Sequence, residues 1–335
     1  MGAFQKILLV AVLCTLFLFP ASVSAQSLAP VTVNVGVHVV DVYEIDFPNN
    51  QVTVDFFLWF IYPAQVAGTI NPLETFEIVN AKEVEVTREY TRVEADLVYQ
   101  RAFVKAVIKK NWTVIDFPFD EHTIRIFLED DASLGNVVYV PDVANSHIES
   151  GLRIPGWNPQ PLKIEATSKT WESTLGDPAL QGQRGATIPR ILVSFMVERP
   201  NGGRDLFFKI FSAVLVSVAI SFFSLLVSPE ELEVRASLSI GSLFAAVGSQ
   251  FVVSGILPES SVPTLVDNLH VVAYVFITLA ALVAVLTHGV NKTRPATARF
   301  WNNLALVVLP VLFFIALAVL WSTYFGAGFF TPPTA

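Results

Sequence analysis

Two patterns of hydrophobic and polar residues divide this chain. Up to about residue 204, valine, isoleucine and aromatic residues alternate with polar ones over short runs, as in 31-VTVNVGVHVVDV-42 and 51-QVTVDFFLWFIY-62. A period of two is typical of half-buried β-strands. Because no helical run separates these segments, we predict an all-β sandwich of the immunoglobulin type over residues 26–203. The further β-rich runs are 83–99, 102–108, 123–128, 137–140, 162–171 and 191–198.

After Gly202-Gly203 the alternation gives way to long apolar stretches. Each is close to the roughly 20 residues that a helix needs to cross a bilayer, and only 15% of the whole chain is charged. We therefore predict that residues 204–335 form a four-helix transmembrane bundle in contact with a lipid bilayer. The four stretches are about 206–228, 236–257, 265–287 and 303–325.

The first 25 residues have the composition of a leader. Lys6 precedes the apolar run 7–20, and small residues follow at 23–25. This arrangement predicts a secretory signal peptide, residues 1–25, that is cleaved after Ala25. The alternative is an uncleaved anchor helix, against which the shortness of the run and its end at Pro20 argue.

Charge asymmetry orients the predicted helices. The connection 288–299 carries Lys292, Arg294 and Arg299, whereas 258–264 has no basic residue. By the positive-inside rule the first connection is cytoplasmic and the second external. A cleaved signal peptide also places the β-domain outside, and an even number of spans returns the C-terminus there. We expect a multi-pass plasma (inner) membrane protein with both its N-terminal domain and its C-terminus extracellular or periplasmic.

Composition argues against several classes of protein. The formal net charge of −8 makes nucleic acid an unsuitable partner. Cys14 is the only cysteine and lies in the predicted leader, so we expect no disulfide, Cys-ligated metal or Cys nucleophile. The five histidines lack metal-ligand spacing, and neither a Gly-rich phosphate loop nor a nucleophile elbow occurs. We expect neither an enzyme nor a cofactor.

The second apolar stretch carries polar and small residues at helical spacing. On a helix they share one face, while Leu238, Leu243, Ala245, Ala246 and Val253 make the opposite face more uniformly apolar. Small residues on one face are typical of close helix packing. An ionisable residue at the edge of a span instead favours contact with water, as in a pore. The pattern leaves both interpretations open. The face in question consists of Glu233, Ser237, Ile240, Gly241, Phe244, Gly248 and Phe251.

Three segments resemble the pentameric ligand-gated ion channels in their prokaryotic, disulfide-free form. The segment 116-DFPFDEHTIRIFLED-130 is similar to that family's loop between its sixth and seventh strands. The segment 40-VDVYEIDFPNNQVTVDFFLWF-60 resembles the first two strands, and 256-ILPESSVPTLVD-267 resembles the linker after the pore helix. The order of these pieces matches the family over nearly all of the mature chain. The resemblance implies a homopentamer that conducts permeant cations.

The resemblance also assigns roles along the second span. It implies that Glu233 stands at the cytoplasmic mouth, where acidic rings favour cations, and that Ser237 lines the narrow polar part. Phe244 takes the position of the mid-pore gate, and Phe251 forms a second apolar ring nearer the outside. Arg235, as in the family, is expected to turn away from the pore axis.

Coupling between the domains is expected where the β-domain meets the membrane. The loop residues Phe117, Pro118, Phe119 and Asp120 would transmit a stimulus to the linker that holds Pro258 and Pro263. Asp120, Asp46 and Arg199 resemble the family's charge cluster at this junction. A buried arginine with two carboxylates suits a two-state element, and a plain structural salt bridge is the alternative.

The stimulus is the least defined part of the sequence. The family's Trp-x-Pro signature is absent, and 172–189, the expected capping loop, has no aromatic residue. An aromatic cage for an amine is therefore not expected. The agonist is an unknown small molecule or protons, for which His122 and His270 are candidates near neutral pH, with a structural role as the alternative for each. A framework or solvated role is the alternative for each residue near the expected cleft, namely Phe57, Arg101, Glu129, Asp130, Asp131 and Trp171.

A different class of function fits part of the same pattern. The β-domain would bind a solute or sense pH while the helices anchor and oligomerise it without conducting. Glu233 and Ser237 on one helix face argue against this membrane-anchored sensor, since a packing bundle has no need of a carboxylate ring there.

Overall fold

The computed structural model describes residues 30–130, 137–174, 176, 185–258, 260 and 262–325. Within these ranges, a β-rich N-terminal domain is followed by four long apolar helices. The predicted leader 1–25, Asp131 and half of the capping loop, residues 175 and 177–184, lie outside the described residues.

The first sheet is built from the two long strands that alternate most regularly. Strands β1 (Val31–Asp46) and β2 (Gln51–Pro63) pair antiparallel. Among the described residues, the strands of this sheet are ordered β4 (Ala81–Glu94), β5 (Leu97–Lys109), β2, β1 and β7 (Val137–Pro141). The β-rich run 83–99 contains the turn between β4 (Ala81–Glu94) and β5 (Leu97–Lys109), at Ala95, whose φ is 54°. Strands β7 (Val137–Pro141) and β8 (His147–Ile148) lie parallel to β1.

Among the described residues, the strands of the second sheet are ordered β10 (Lys163–Trp171), β11 (Ala186–Glu198), β6 (Glu121–Asp130) and β3 (Phe76–Ile78). The short strand β9 (Asn158–Pro159) pairs with β11. One helical turn, Pro72–Thr75, and one 3-10 turn, Ala64–Val66, stand between β2 and β3.

Side chains from both sheets share one hydrophobic core. Val35 and Val37 of the first sheet and Ile124, Ile126 and Val193 of the second are at most 1% exposed and belong to the same cluster. Each set recurs at every second position, because side chains of a strand alternate between the two faces of its sheet. Two sheets that bury their facing sides in this way are compatible with a β-sandwich.

Four helices follow the β-domain: α1 (Arg204–Ser224), α2 (Leu232–Ser254), α3 (Leu265–Asn291) and α4 (Pro295–Phe325). All four are long and apolar enough to cross a membrane, which makes this a membrane protein. Helix α2 packs against α1 and α3, and α4 packs against α3.

The fourth helix begins eight residues earlier than the hydropathy pattern predicts, at Pro295 rather than at 303. Proline is favoured in the first helical turn because its missing N–H has no intrahelical partner there. Residues 295–302, in which Thr297, Arg299 and Asn302 interrupt the apolar pattern, therefore extend the helix, and only residues 292–294 connect it to α3.

Candidate functional site

Helix α2 leaves a stripe of polar, small and aromatic side chains uncovered, and Val234, Val247 and Val252 beside this stripe are exposed too. Phe244 is 75% exposed, Phe251 is 82% exposed and Ile240 is 56% exposed, although all three are large and apolar. The glutamate and serine of the same stripe are exposed as well. All seven residues predicted to share this face are exposed in the single chain, namely Glu233, Ser237, Ile240, Gly241, Phe244, Gly248 and Phe251.

The opposite face of α2 is less apolar than the sequence analysis predicts. Leu243 is 39% exposed, and Ala245 is exposed too. The buried positions of α2 are instead Arg235, Ser239, Ser242, Ala246 and Val253. These polar side chains are buried because they find hydrogen-bond partners: Arg235 and Ser239 on the neighbouring helices, and Ser242 at the Leu238 carbonyl of α2 itself. Arg235 is 0% exposed and points away from the uncovered stripe.

The junction with the β-domain is built around a buried ion pair. Asp120, next to the first residue of β6, accepts hydrogen bonds from His122 Nε2 at 2.7 Å, Arg199 Nε at 3.1 Å and Arg199 Nη2 at 3.3 Å. The guanidinium carbon of Arg199 lies 3.6 Å from the centre of the Trp157 ring. His122 is therefore held as a buried partner of Asp120, in keeping with the structural alternative for this histidine.

Two carboxylates of this loop have pKa values shifted in opposite directions. Burial tends to raise the pKa of Asp120, but the hydrogen bond from His122 and the charge of Arg199 outweigh it, so this pKa is lowered. Burial raises the pKa of Asp116, and the nearby charge of Asp120 adds to the shift. Asp120 thus stays ionised over the physiological range, while Asp116 is the carboxyl of the pair that protonates more readily.

Asp46 does not join this ion pair, contrary to the expectation of an arginine with two carboxylates. Its Oδ1 accepts from the Asn49 backbone N–H at 3.0 Å, and its Oδ2 accepts from Asn49 Nδ2 at 2.7 Å. The carboxylate stabilises the turn between β1 and β2, which satisfies it locally. Asp46 and Arg199 nevertheless line one open cavity of about 500 Å³, together with Gly255 and Ile256 at the end of α2.

The loop 116–120 inserts between the helices. The Phe119 ring lies 5.6 Å from that of Phe207 on α1 and 5.1 Å from that of Phe325 on α4, measured between ring centres. Just before the loop, the Ile115 carbonyl accepts a hydrogen bond of 2.8 Å from the Leu265 N–H at the start of α3. Phe117 and Pro118 are buried, joined by a cis peptide bond.

The linker after α2 is connected to α4. Pro258 is buried and Pro263 is exposed. The Pro263 carbonyl accepts from Tyr324 Oη at 3.1 Å, and that hydroxyl accepts from Asn268 Nδ2 at 2.7 Å. The described contacts of the junction therefore include the loop 116–120, this linker and the end of α4.

Two of the predicted cleft residues come together on the first sheet. Arg101 on β5 stacks over the Phe57 ring on β2, with 5.2 Å from the guanidinium carbon to the ring centre, and lies 5.9 Å from the Tyr90 ring. Arg88 stacks over Phe103 in the same way at 5.0 Å. This arginine–aromatic patch is partly exposed, and arginines cover its ring faces.

The other predicted cleft residues belong to the second sheet. Glu129 is 8% exposed and pairs with Arg190, while the Asp130 carboxylate accepts from Tyr139 Oη at 2.5 Å. The alternative of a solvated acidic run is therefore wrong for these two residues, since partners across the strands bury them. Trp171, half-buried at the end of β10, is covered by Lys169 at 5.1 Å. Within one chain, the two groups of cleft residues lie on separate sheets.

Neither a scan against protein-family models nor a search of curated proteins finds a match to this chain.

Proposed function

We propose that this chain forms a homopentameric, stimulus-gated, cation-selective ion channel of the plasma membrane, with an immunoglobulin-like β-domain outside. The observation that carries the proposal is the uncovered stripe of α2. It combines a carboxylate, a hydroxyl, two glycines and two exposed phenylalanines on a helix that packs on the opposite side through Arg235, Ser239, Ser242, Ala246 and Val253. Polar groups are unfavourable in contact with lipid, and aromatic rings are unfavourable in contact with water. A pore lining contains both, since its polar rings contact ions and its apolar rings close the gate.

Arranged about a five-fold axis, the stripes would form successive rings. Five Glu233 carboxylates at the cytoplasmic end attract cations, and the Ser237 hydroxyls replace part of the ions' hydration. Phe244 and Phe251 form apolar constrictions that close the pore by excluding water. The permeant ion is then a cation, and the gate is apolar rather than charged.

The junction would carry the stimulus. The Asp120–Arg199 pair joins β6 to the chain just before α1, and Phe119 packs on α1 and α4. A stimulus that moves the β-domain then moves the linker with Pro258 and Pro263, and with it the end of α2. Breaking a buried ion pair is costly, so such a contact supports two discrete states.

The agonist would bind between subunits, with the arginine–aromatic patch of one chain facing Trp171 of the next. Arg101 and Arg88 already occupy the faces of Phe57 and Phe103. Two exposed guanidinium groups favour a small anionic agonist over an amine, because carboxylates take guanidinium donors. Protons, acting through half-buried carboxyls such as Asp116, are the other candidate stimulus.

The test is current through planar bilayers that contain the purified chain, over a screen of pH and small carboxylates. A Cys14→Ser background allows single cysteines to be placed at will. We expect a charged thiol reagent to block Ser237→Cys channels and to leave Ser242→Cys channels unaffected, because Ser242 is 1% exposed. Absence of current in every condition, or a monomer or dimer in detergent, would leave the non-conducting sensor as the better description.

A further inference from the structure

Arg235 is the largest fully buried side chain of the described residues. It lies in the first turn of α2, two residues from Glu233 and two from Ser237. A buried guanidinium ordinarily pairs with a carboxylate, because desolvating an unpaired charge is costly. Among the described residues, the hydrogen bonds that Arg235 donates all go to neutral oxygens.

Those oxygens belong to the three other helices. Arg235 Nε donates to the Ser224 carbonyl of α1 at 3.1 Å, Nη1 donates to Thr287 Oγ1 of α3 at 2.9 Å, and Nη2 donates to Asn302 Oδ1 of α4 at 2.6 Å. The Thr287 hydroxyl itself donates to the Val283 carbonyl, so its oxygen is available as an acceptor. One side chain of the candidate pore helix thus holds all three neighbours.

The C-terminal end of α1 substitutes for a counter-ion. Ser224 is the last residue of α1, and the carbonyls of a last helical turn have no intrahelical donor. They carry the negative end of the helix dipole, which favours a cation. Asn302 Nδ2 donates to the next carbonyl, Leu225, at 2.8 Å. Arg235 and Asn302 therefore cap α1 together while bonding each other.

This contact fixes the rotation of α2. Successive residues of a helix are about 100° apart, so Glu233 and Ser237 each lie about 200° from Arg235, on the other side of the axis. Holding Arg235 toward α1, α3 and α4 turns both residues to the uncovered stripe. Losing the contact frees the turn of α2 that carries them.

Asn302 extends the contact to the most peripheral helix. The buried residues of α4 form one stripe, Ala298, Asn302, Ala305 and Leu309, in which Asn302 is the polar member. Its next neighbour, Asn303, is exposed. Among the described residues, α4 therefore contacts α2 through a hydrogen bond to the guanidinium.

We propose that Arg235 is a positioning residue for the selectivity end of the pore, and that Asn302 makes this position depend on α4. The inference rests on the proposed function. Glu233 and Ser237 face the pore because Arg235 is anchored behind them, and a displacement of α4 that breaks the Asn302 bond turns them away from the axis.

The experiment measures the reactivity of single cysteines in the detergent-solubilised oligomer, in the Cys14→Ser background. Ser237→Cys and Ser242→Cys proteins are exposed to a charged thiol reagent, and labelling rates are read by mass. We expect Asn302→Leu to lower the ratio of the labelling rate at 237 to that at 242 about tenfold. The reason is that a hydrogen bond to a charged group contributes a free energy equivalent to about tenfold or more. Asn303→Leu, the same change one residue along, leaves the ratio within about twofold, as expected of an exposed site.

A rescue separates anchoring from packing. Asn302→Asp keeps the oxygen that accepts from Arg235 and loses the donor to Leu225, and we expect it to keep the ratio of the unchanged chain. A ratio lowered equally by Asn302→Asp and Asn302→Leu would overturn the link through Arg235, and so would equal ratios for Asn302→Leu and Asn303→Leu.

A second variant covers the case in which Asn302→Leu does not assemble. Thr287→Val is nearly isosteric and removes the Nη1 acceptor, with exposed Thr278→Val as its control, and a ratio unchanged by Thr287→Val would overturn the proposal. Failure of the proposed function is distinct, because it shows in the unchanged chain as absence of current in every condition or as a monomer or dimer in detergent, whatever the labelling ratio.

Discussion

Replacing Asp120 by Asn tests the junction at its most buried point. The side chains of Asp120 and Arg199 are 0% and 10% exposed, and three donors from Arg199 and His122 point at the carboxylate. Asparagine keeps the shape but removes the charge, and it places an amide donor among those donors. Arg199 is then left buried without its counter-ion, held mainly by the Trp157 ring.

The expected loss is about 3 kcal/mol of unfolding free energy. Removing one partner of a buried ion pair costs about 3–5 kcal/mol, and we take the lower end because the stacking of Arg199 on Trp157 survives. The pKa of Asp120 is lowered in the fold from its ordinary 3.8. Its contribution is therefore fully present above that value and is lost as pH falls through the lowered pKa.

The assay is urea unfolding of the purified full chain, followed by the fluorescence of the buried tryptophans around the junction. We expect the midpoint of Asp120→Asn to fall by on the order of 1 M at neutral pH, from a typical dependence on urea. The control is Glu121→Gln, which removes an exposed charge from the next residue and is expected to change stability by less than about 0.5 kcal/mol. Equal midpoints for the two variants, or a loss that grows in acid, would refute the reasoning.

Three further predictions follow from the same contacts. Phe244→Ala, which removes a ring that is 75% exposed in the single chain, should produce current without a stimulus. Phe208→Ala, on the exposed side of α1, is the control and should produce none. A Phe244→Ala channel that stays closed would contradict the assignment of the gate. Asp116→Asn should flatten part of the pH dependence of stability, measured by unfolding at several pH values. Burial raises the pKa of Asp116, so the contribution of this carboxyl to stability is favourable in acid and falls as pH rises from 3.8 through the raised pKa. The same pH dependence in the variant and the unchanged chain would mean that the carboxyl is solvated. Tyr324→Phe should lower the thermal unfolding midpoint by the equivalent of about 1 kcal/mol, because the Pro263 carbonyl loses its donor; an unchanged midpoint would mean that the link from α4 to the linker contributes nothing.

Local sequence patterns predicted the strands and helices of this fold better than they predicted which side chains contact each other. The alternation at 31–42 and 51–62 placed β1 and β2, and apolar length placed four helices. The start of α4 was missed because Thr297, Arg299 and Asn302 interrupt the apolar pattern of its first eight residues. Glu129 and Asp130 look like a solvated run in sequence, since Arg190, which pairs with Glu129, is 61 residues away and the pairing of strands brings it there.

The same limit applies to the candidate site. Periodicity placed the seven residues of the α2 stripe on one face, because that depends only on positions along one helix. Arg235 could be assigned a direction by resemblance, but its acceptors Thr287 and Asn302 are 52 and 67 residues away and only the fold brings them to it. An arginine within an apolar span is itself the signal that such partners exist, since a charge there requires them.

The central claim is that the uncovered stripe of α2 lines a cation pore, and the reversal potential of currents in a salt gradient tests it most directly. For the unchanged chain we expect a reversal potential close to that of the cation, and for Glu233→Gln a shift toward zero, because the ring of carboxylates is gone. A potential set by the anion, or one that Glu233→Gln does not move while Ser237→Cys is insensitive to thiol reagent, would contradict the account.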